Sequence, residues 1–308
     1  MTPDELKAAL GSGLLSFPTT AFKSDLSFDE DGYRAHIDWL DGFGASALFA
    51  PGGTGELFSL TPAEAARVTR AAKQSSRNTP ILGGAAYGTA LAIEMAKAAK
   101  EAGADGILLL PPYLMFCEQE GLVAHVKAIC NAVSIGVVVY NRDNIVLSAE
   151  SLMRLCEQCP NLIGFKDGHG EVDRVIEITT RLGDRLTYIG GMPTHELYAT
   201  AYFAAGVTTY SSAVFNFVPE LAQTFYSALK AGRKDVTDRI LKEFFFPLTE
   251  LRNRRKGYAV SIIKAGVNAR GGSAGPVRPP LVNLTTDETD QLKRLIDIAT
   301  ALSGRESA

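Results

Sequence analysis

The sequence predicts an α/β fold, a (β/α)8 TIM barrel with a C-terminal helical extension. Three observations carry this expectation. Short apolar, β-branched runs alternate with longer Ala-rich and charged stretches, eight times in order. The runs are apolar along most of their length, as in IGVVVY, which suits parallel strands covered on their outer face. The eight units are similar in length and no GxGxxG follows the first run, so a doubly wound open sheet fits less well. At 308 residues the chain is long enough for a barrel of ~250 residues plus an appendage.

Predicted strands lie at residues 14–22, 46–50, 80–84, 106–111, 135–140, 163–167, 187–191 and 207–213. Predicted helices lie near 29–42, 62–77, 89–102, 118–132, 148–158, 171–182, 194–204 and 218–231. Thr61-Pro62-Ala63-Glu64 places a capping hydroxyl before a first-turn proline, with Glu at the third helical position. Ser148 is a second N-cap, and Gly44, Gly103, Gly183 and Gly206 sit where helices should stop. After residue 231 the alternation ends. Helices are expected over 235–254, 258–269 and 287–302, with the Gly/Pro-rich loop GGSAGPVRPP between the last two. Residues 1–231 therefore read as the barrel and 232–308 as a helical extension of the same domain.

Composition narrows the function classes. Net charge is -3, with 31 basic and 34 acidic residues well mixed, which gives no nucleic-acid footprint. The four cysteines form no disulfide framework and fit a reducing compartment. Cys156 and Cys159 make a CxxC, but it falls in a helical stretch without a second ligand pair at zinc spacing. The N-terminus is too charged for a secretory signal, and no apolar run approaches the ~20 residues of a membrane span. The expectation is a cytoplasmic protein with no membrane partner.

TIM-barrel chemistry sits where strands end. Lys166, in the sixth strand (GFKDG), is the most unusual residue there. A lysine among barrel-interior side chains is poorly solvated, so its pKa should fall, and a neutral amine attacks carbonyls. The alternative is a lysine that reaches solvent or pairs with Asp167. Tyr140 ends the fifth strand and could relay protons in the same pocket, or simply form its rim. Gly52-Gly53-Thr54-Gly55, ending the second strand, offers backbone N–H groups and one hydroxyl to an anion such as a carboxylate. His36 and His125 are expected on helix surfaces, while His169 and His195 lie near strand ends without metal-ligand spacing.

PGGTGE, VVVYN and GFKDG, in that order at strand ends, resemble the dihydrodipicolinate synthase / N-acetylneuraminate lyase family of class I Schiff-base barrels. The resemblance runs from Leu14 to about residue 300. It implies catalysis by Lys166 and Tyr140, with Gly53 and Thr54 binding a substrate carboxylate. Gly191, Ser211, Ser212 and Asn216 are the further substrate-binding candidates, and Arg142 a possible helper. Three departures set the chain apart from the synthases. Gly53 stands where Ser or Thr is usual, Leu114 follows Tyr113 in place of a second tyrosine, and Ile145 takes the place of a carboxylate-binding arginine.

GGTGE, SSAVFNF and GPVRPPL together resemble a branch of decarboxylating dehydratases acting on a 2-keto sugar diacid. That likeness implies loss of water and CO2 through a Lys166 imine, with no metal or organic cofactor. It also implies a homo-oligomer, dimeric or tetrameric, with the strand-4 loop near an interface. An aldolase on the same scaffold and a non-catalytic keto-acid sensor are the rivals, the latter disfavoured because binding alone needs neither Lys166 nor Tyr140.

Overall fold

The computed structural model describes residues 1–112, 116–143 and 145–306. Eight parallel strands close into one barrel, each bonded to the next and β8 to β1. They are β1 (Leu15–Ser16), β2 (Ala47–Phe49), β3 (Ile81–Ala85), β4 (Gly106–Leu109), β5 (Gly136–Asn141), β6 (Leu162–Asp167), β7 (Thr187–Gly190) and β8 (Thr209–Ser212). Before, between and after them run α1 (Pro3–Gly11), α2 (Glu30–Asp41), α3 (Pro62–Ser75), α4 (Thr89–Glu101), α5 (Gln119–Ala132), α6 (Ala149–Gln158), α7 (Val172–Leu182), α8 (Ala199–Ala204) and α9 (Pro219–Lys230). The predicted starts hold: Thr61 and Glu64 form a reciprocal capping box, and the Ser148 hydroxyl accepts from Ser151 N–H. Gly44, Gly103, Gly183 and Gly206 all take positive φ, the backbone that ends a helix.

Alternate strand residues face opposite ways, which divides the apolar residues into two cores. Leu15, Phe49, Leu82, Leu108, Val138, Ile163 and Ile189 fill the barrel interior. The outward set, including Val137, Val139 and Phe165, packs under the helices. The helix α1 is absent from the sequence reading. Its Leu6 and Leu10 join the interior core and close the barrel floor. Gly106 and Gly136, at the starts of β4 and β5, admit Leu6; a Cβ on Gly106 would lie 2.4 Å from it.

Three other expectations need correction. The first strand pairs only over Leu15–Ser16, because Pro18 has no N–H and the donors beyond it go elsewhere, Thr19 N–H to the Asn216 side chain and Phe22 N–H to Ala274 O. The helix at 194–204 is interrupted: Thr194 takes positive φ (51°), a 3-10 turn covers His195–Leu197, and α8 follows. The helix expected at 235–254 is present, running without a break from α10 (Lys234–Ile240) through a π-helical turn (Leu241–Phe245) into α11 (Phe246–Arg252), the widened turn lying where Pro247 cannot donate to the ladder. His36 and His125 are buried, not surface residues; His36 Nε2 bonds Asn216 Oδ1 at 3.0 Å, and His125 Nδ1 bonds the Thr89 hydroxyl at 2.9 Å.

The chain ends in α12 (Tyr258–Ala269) and α13 (Thr286–Glu306). α13 packs on α9 and α12, while α11 and α12 contribute to the wall of the cavity above the barrel. No described helix is long and apolar enough to cross a membrane.

Truncating Leu6 to Ala should remove packing that Gly106 and Gly136 cannot refill. The expected cost is about 2–5 kcal/mol in urea unfolding. A loss below ~1 kcal/mol, the range of an exposed position, would contradict the role of α1 as the barrel floor.

Candidate active site

A cavity of about 500 Å³ opens at the C-terminal ends of the strands. Its floor carries Lys166 and Tyr140. The β5–β6 ladder explains why they meet. A register shift leaves Ile163 as an extra residue between Val137↔Leu162 and Val138↔Gly164, after which Tyr140 pairs with Lys166. Both side chains then point inward from neighbouring strands, and Lys166 Nζ lies 4.9 Å from the Tyr140 ring centre.

Lys166 is 2% exposed. Its ammonium donates to Ser211 Oγ at 2.7 Å and to Gly190 O at 3.2 Å, and it sits 5.1 Å from the Phe17 ring centre. None of these partners is a carboxylate. Asp167, one residue on, faces the outer layer, where it accepts from Tyr202 Oη at 2.5 Å and Gly170 N–H at 3.2 Å. Pairing with Asp167 is therefore not what holds Lys166. Burial dominates, and with Arg142 nearby it lowers the lysine pKa to about 7.

The Tyr140 hydroxyl donates to Gly191 O at 2.7 Å and accepts from Arg142 at 3.3 Å. Burial raises its pKa, so it remains a phenol able to give and regain a proton. Two glycines make room for it. A Cβ on Gly168 would lie 2.6 Å from the Tyr140 oxygen, and one on Gly191 would lie 2.8 Å from its ring.

Gly53 and Thr54 line the cavity opposite these groups. Gly52 lets the Phe17 ring pass, since a Cβ there would lie 2.1 Å from it. Gly53 has open space where a Cβ would go, so its glycine clears volume for a ligand rather than for the fold.

The turn is anchored from below by Glu56, fully buried with positive φ (55°). Its carboxylate accepts from Lys264 Nζ at 2.9 Å and from Arg278 N–H at 3.0 Å. The Arg278 side chain continues to Glu64 at 2.6 Å and to the Leu26 and Ser59 carbonyls. Lys264 is the second buried lysine, its pKa lowered to about 8 by burial against the opposing pull of Glu56. It differs from Lys166 in having this carboxylate.

Among the candidates, Lys166, Tyr140, Gly53, Thr54, Gly191 and Ser211 come together around the cavity, with Arg142 at its edge. Ser212 and Asn216 do not. Ser212 faces outward from β8 and donates to Glu196 Oε1 at 2.6 Å. The Asn216 amide is spent on Phe17 O, Ala213 O, Thr19 N–H and His36. It latches the β8 loop to the β1 loop and has nothing left for a substrate.

His169 pairs with Glu171, and His195 is packed against Gly190 with burial lowering its pKa to about 3. Tyr113 and Leu114 lie outside the described residues. The sequence reading missed Glu196 and Arg252, which also line the cavity. Neither lies at a strand end or within a recognisable motif, so no local pattern marked them.

Residues 11–299 match the model of the dihydrodipicolinate synthetase family. The chain belongs to that family. The crystal structure of dihydrodipicolinate synthase from Bacillus clausii superposes with a TM-score of 0.87 at 26% identity, covering 96% of this chain and 99% of that one. Higher similarity lies elsewhere in the family. A relative from Rhizobium rhizogenes named probable 5-dehydro-4-deoxyglucarate dehydratase is 66% identical over 98% of this chain and 100% of its own. One of the same name from Rhizobium meliloti is 60% identical over 96% and 99%.

A direct titration tests the electrostatics. Followed by the 13C shift of its Cε, Lys166 should titrate with a midpoint near pH 7, the amine being neutral above it. A midpoint near the ordinary lysine value of ~10.4 would contradict the burial argument.

Proposed function

We propose that the chain converts 5-dehydro-4-deoxy-D-glucarate to 2,5-dioxopentanoate, CO2 and water through an imine on Lys166. The observation that carries the chemistry is a buried amine without a carboxylate partner, beside a phenol, on the floor of an open cavity. The substrate comes from the full-length similarity to relatives bearing that dehydratase name.

Counting from the carboxylate beside the keto group, neutral Lys166 attacks C2. Tyr140 gives a proton to the developing alkoxide and takes one from the amine, and water leaves as the imine forms. The iminium acidifies C3–H. Loss of that proton gives an enamine, whose electrons expel the C4 hydroxyl as water. The resulting C3=C4 bond is conjugated to the iminium. The C5–C6 bond electrons can then flow into it, and the distal carboxylate departs as CO2. Protonation at C3 restores the iminium, protonation at C4 with loss of the hydroxyl proton turns the C5 enol into the aldehyde, and hydrolysis frees Lys166. The protonated imine supplies the electron withdrawal, so the scheme draws on no metal or organic cofactor.

In this reading Gly53 N–H and Thr54 hold the C1 carboxylate, and Ser211 lies against the Lys166 amine where imine-forming protons move. Four free cysteines are in keeping with a reducing cytoplasm. Phe116, 95% exposed beside the strand-4 loop, is an apolar surface that a homo-oligomer would cover.

Supplying 5-dehydro-4-deoxy-D-glucarate and following gas and products by NMR separates the lyase chemistries. One CO2 and one 2,5-dioxopentanoate per substrate are expected. Pyruvate plus a three-carbon aldehyde acid, with no CO2, would mean an aldolase instead.

A further inference from the structure

The substrate proposed above carries a second carboxylate, and the cavity has one cation suited to receive it. Arg252 ends α11, in the helical extension, and lines the same cavity as Lys166. Its guanidinium donates to two neutral groups, the Thr194 hydroxyl and the Asn253 side-chain oxygen. Thr194 is itself held in a positive-φ backbone at the end of the β7 loop. That loop therefore clamps the guanidinium at the cavity wall rather than leaving it to swing. The carboxylate closest in influence, Glu196, is deeply buried, bonded to Ser212, and pushed up to about 7 by that burial. It is a poor counter-ion.

The other cavity arginine, Arg142, is engaged differently. It bonds the Tyr140 hydroxyl and reaches Asp143 at 3.6 Å, so it belongs to the reacting end. Together with burial, its charge helps to lower the pKa of Lys166. The wall of the same cavity is largely apolar and includes Val214, Leu248 and Ile263. A partly buried guanidinium in this cavity, whose hydrogen-bond partners among the described residues are neutral, is suited to take an anion in a two-point contact.

We propose that Arg252 binds the distal carboxylate and makes the enzyme select 2-keto diacids over 2-keto monoacids. This rests on the reading of the site as a keto-acid imine site. Arg252 is a specificity residue, not a proton carrier. The carboxylate it holds loses its charge as CO2 leaves, so its contribution should appear in binding more than in the chemical step.

The test uses two probes that lack the leaving hydroxyl, 2-oxoadipate and 2-oxohexanoate, on the full-length protein. Half-saturation of imine formation is read from borohydride-trapped mass adducts. The wild type should capture the diacid at ~10–100-fold lower concentration, the range of one charged hydrogen-bonded contact. In R252Q that advantage should fall below about threefold, while R252K should retain part of it. Because each protein serves as its own control, partial loss of folded material does not alter the ratio. If R252Q does not fold, R252K carries the test, and an undiminished ratio there overturns the proposal. An unchanged ratio in R252Q, or no diacid preference in the wild type, also overturns it. The dehydratase reading fails separately, if the wild type prefers the diacid yet releases no CO2 from 5-dehydro-4-deoxy-D-glucarate.

Discussion

Everything at this site depends on one electrostatic constraint, an amine held in a closed barrel with no carboxylate partner among the described residues. A charged lysine in such a place loses water on every side and regains only two hydrogen bonds and two ring faces. The neutral form is therefore favoured, and that form is the nucleophile. The barrel provides the enclosure. Strands surround the amine, α1 seals the floor, and the mouth stays open to ligand. The one carboxylate adjacent in sequence, Asp167, is on the opposite face because strand residues alternate, and Tyr202 occupies it there.

Lys264 makes the contrast plain. It is equally hidden, yet it meets Glu56 at 2.9 Å and is part of a structural ion pair. Removing one partner from such a pair costs about 3–5 kcal/mol, because a charge is left stranded. The pair does more than stabilise. Glu56 closes the turn that carries Gly53 and Thr54, while Lys264 and Arg278 come from the C-terminal region. The extension thus holds the Gly53-Thr54 turn from behind with Lys264 and Arg278, and reaches the cavity with Arg252. The helices after the barrel are part of the site's construction, although no strand end lies in them.

The legible parts of the molecule were those written in local pattern. Eight apolar runs, the Thr61 and Ser148 caps and the glycine stops gave the barrel's element order. Lys166 stood out because a charged residue interrupts an apolar strand, and Tyr140 because it ends the neighbouring one. What escaped depends on three-dimensional contact. The floor helix α1 is short, and its role emerges only when Leu6 meets Gly106 and Gly136. Ser212 and Asn216 share a segment with Ser211, yet strand alternation and a 3-10 turn point them elsewhere. His36 and His125 look polar in sequence but find hydrogen-bond partners inside. Glu196 and Arg252 sit on irregular or terminal turns, where spacing carries no information. The family resemblance pointed to the Gly53-Thr54 turn, which lines the cavity, and the structure added the Glu56 anchor behind it.

The two buried lysines offer the sharpest test of the central claim. The protein is incubated with pyruvate, reduced with borohydride and mapped by peptide mass spectrometry. A single adduct is expected, on the peptide containing Lys166, with Lys264 unmodified. An adduct on Lys264, or on no lysine at all, would contradict covalent catalysis by Lys166.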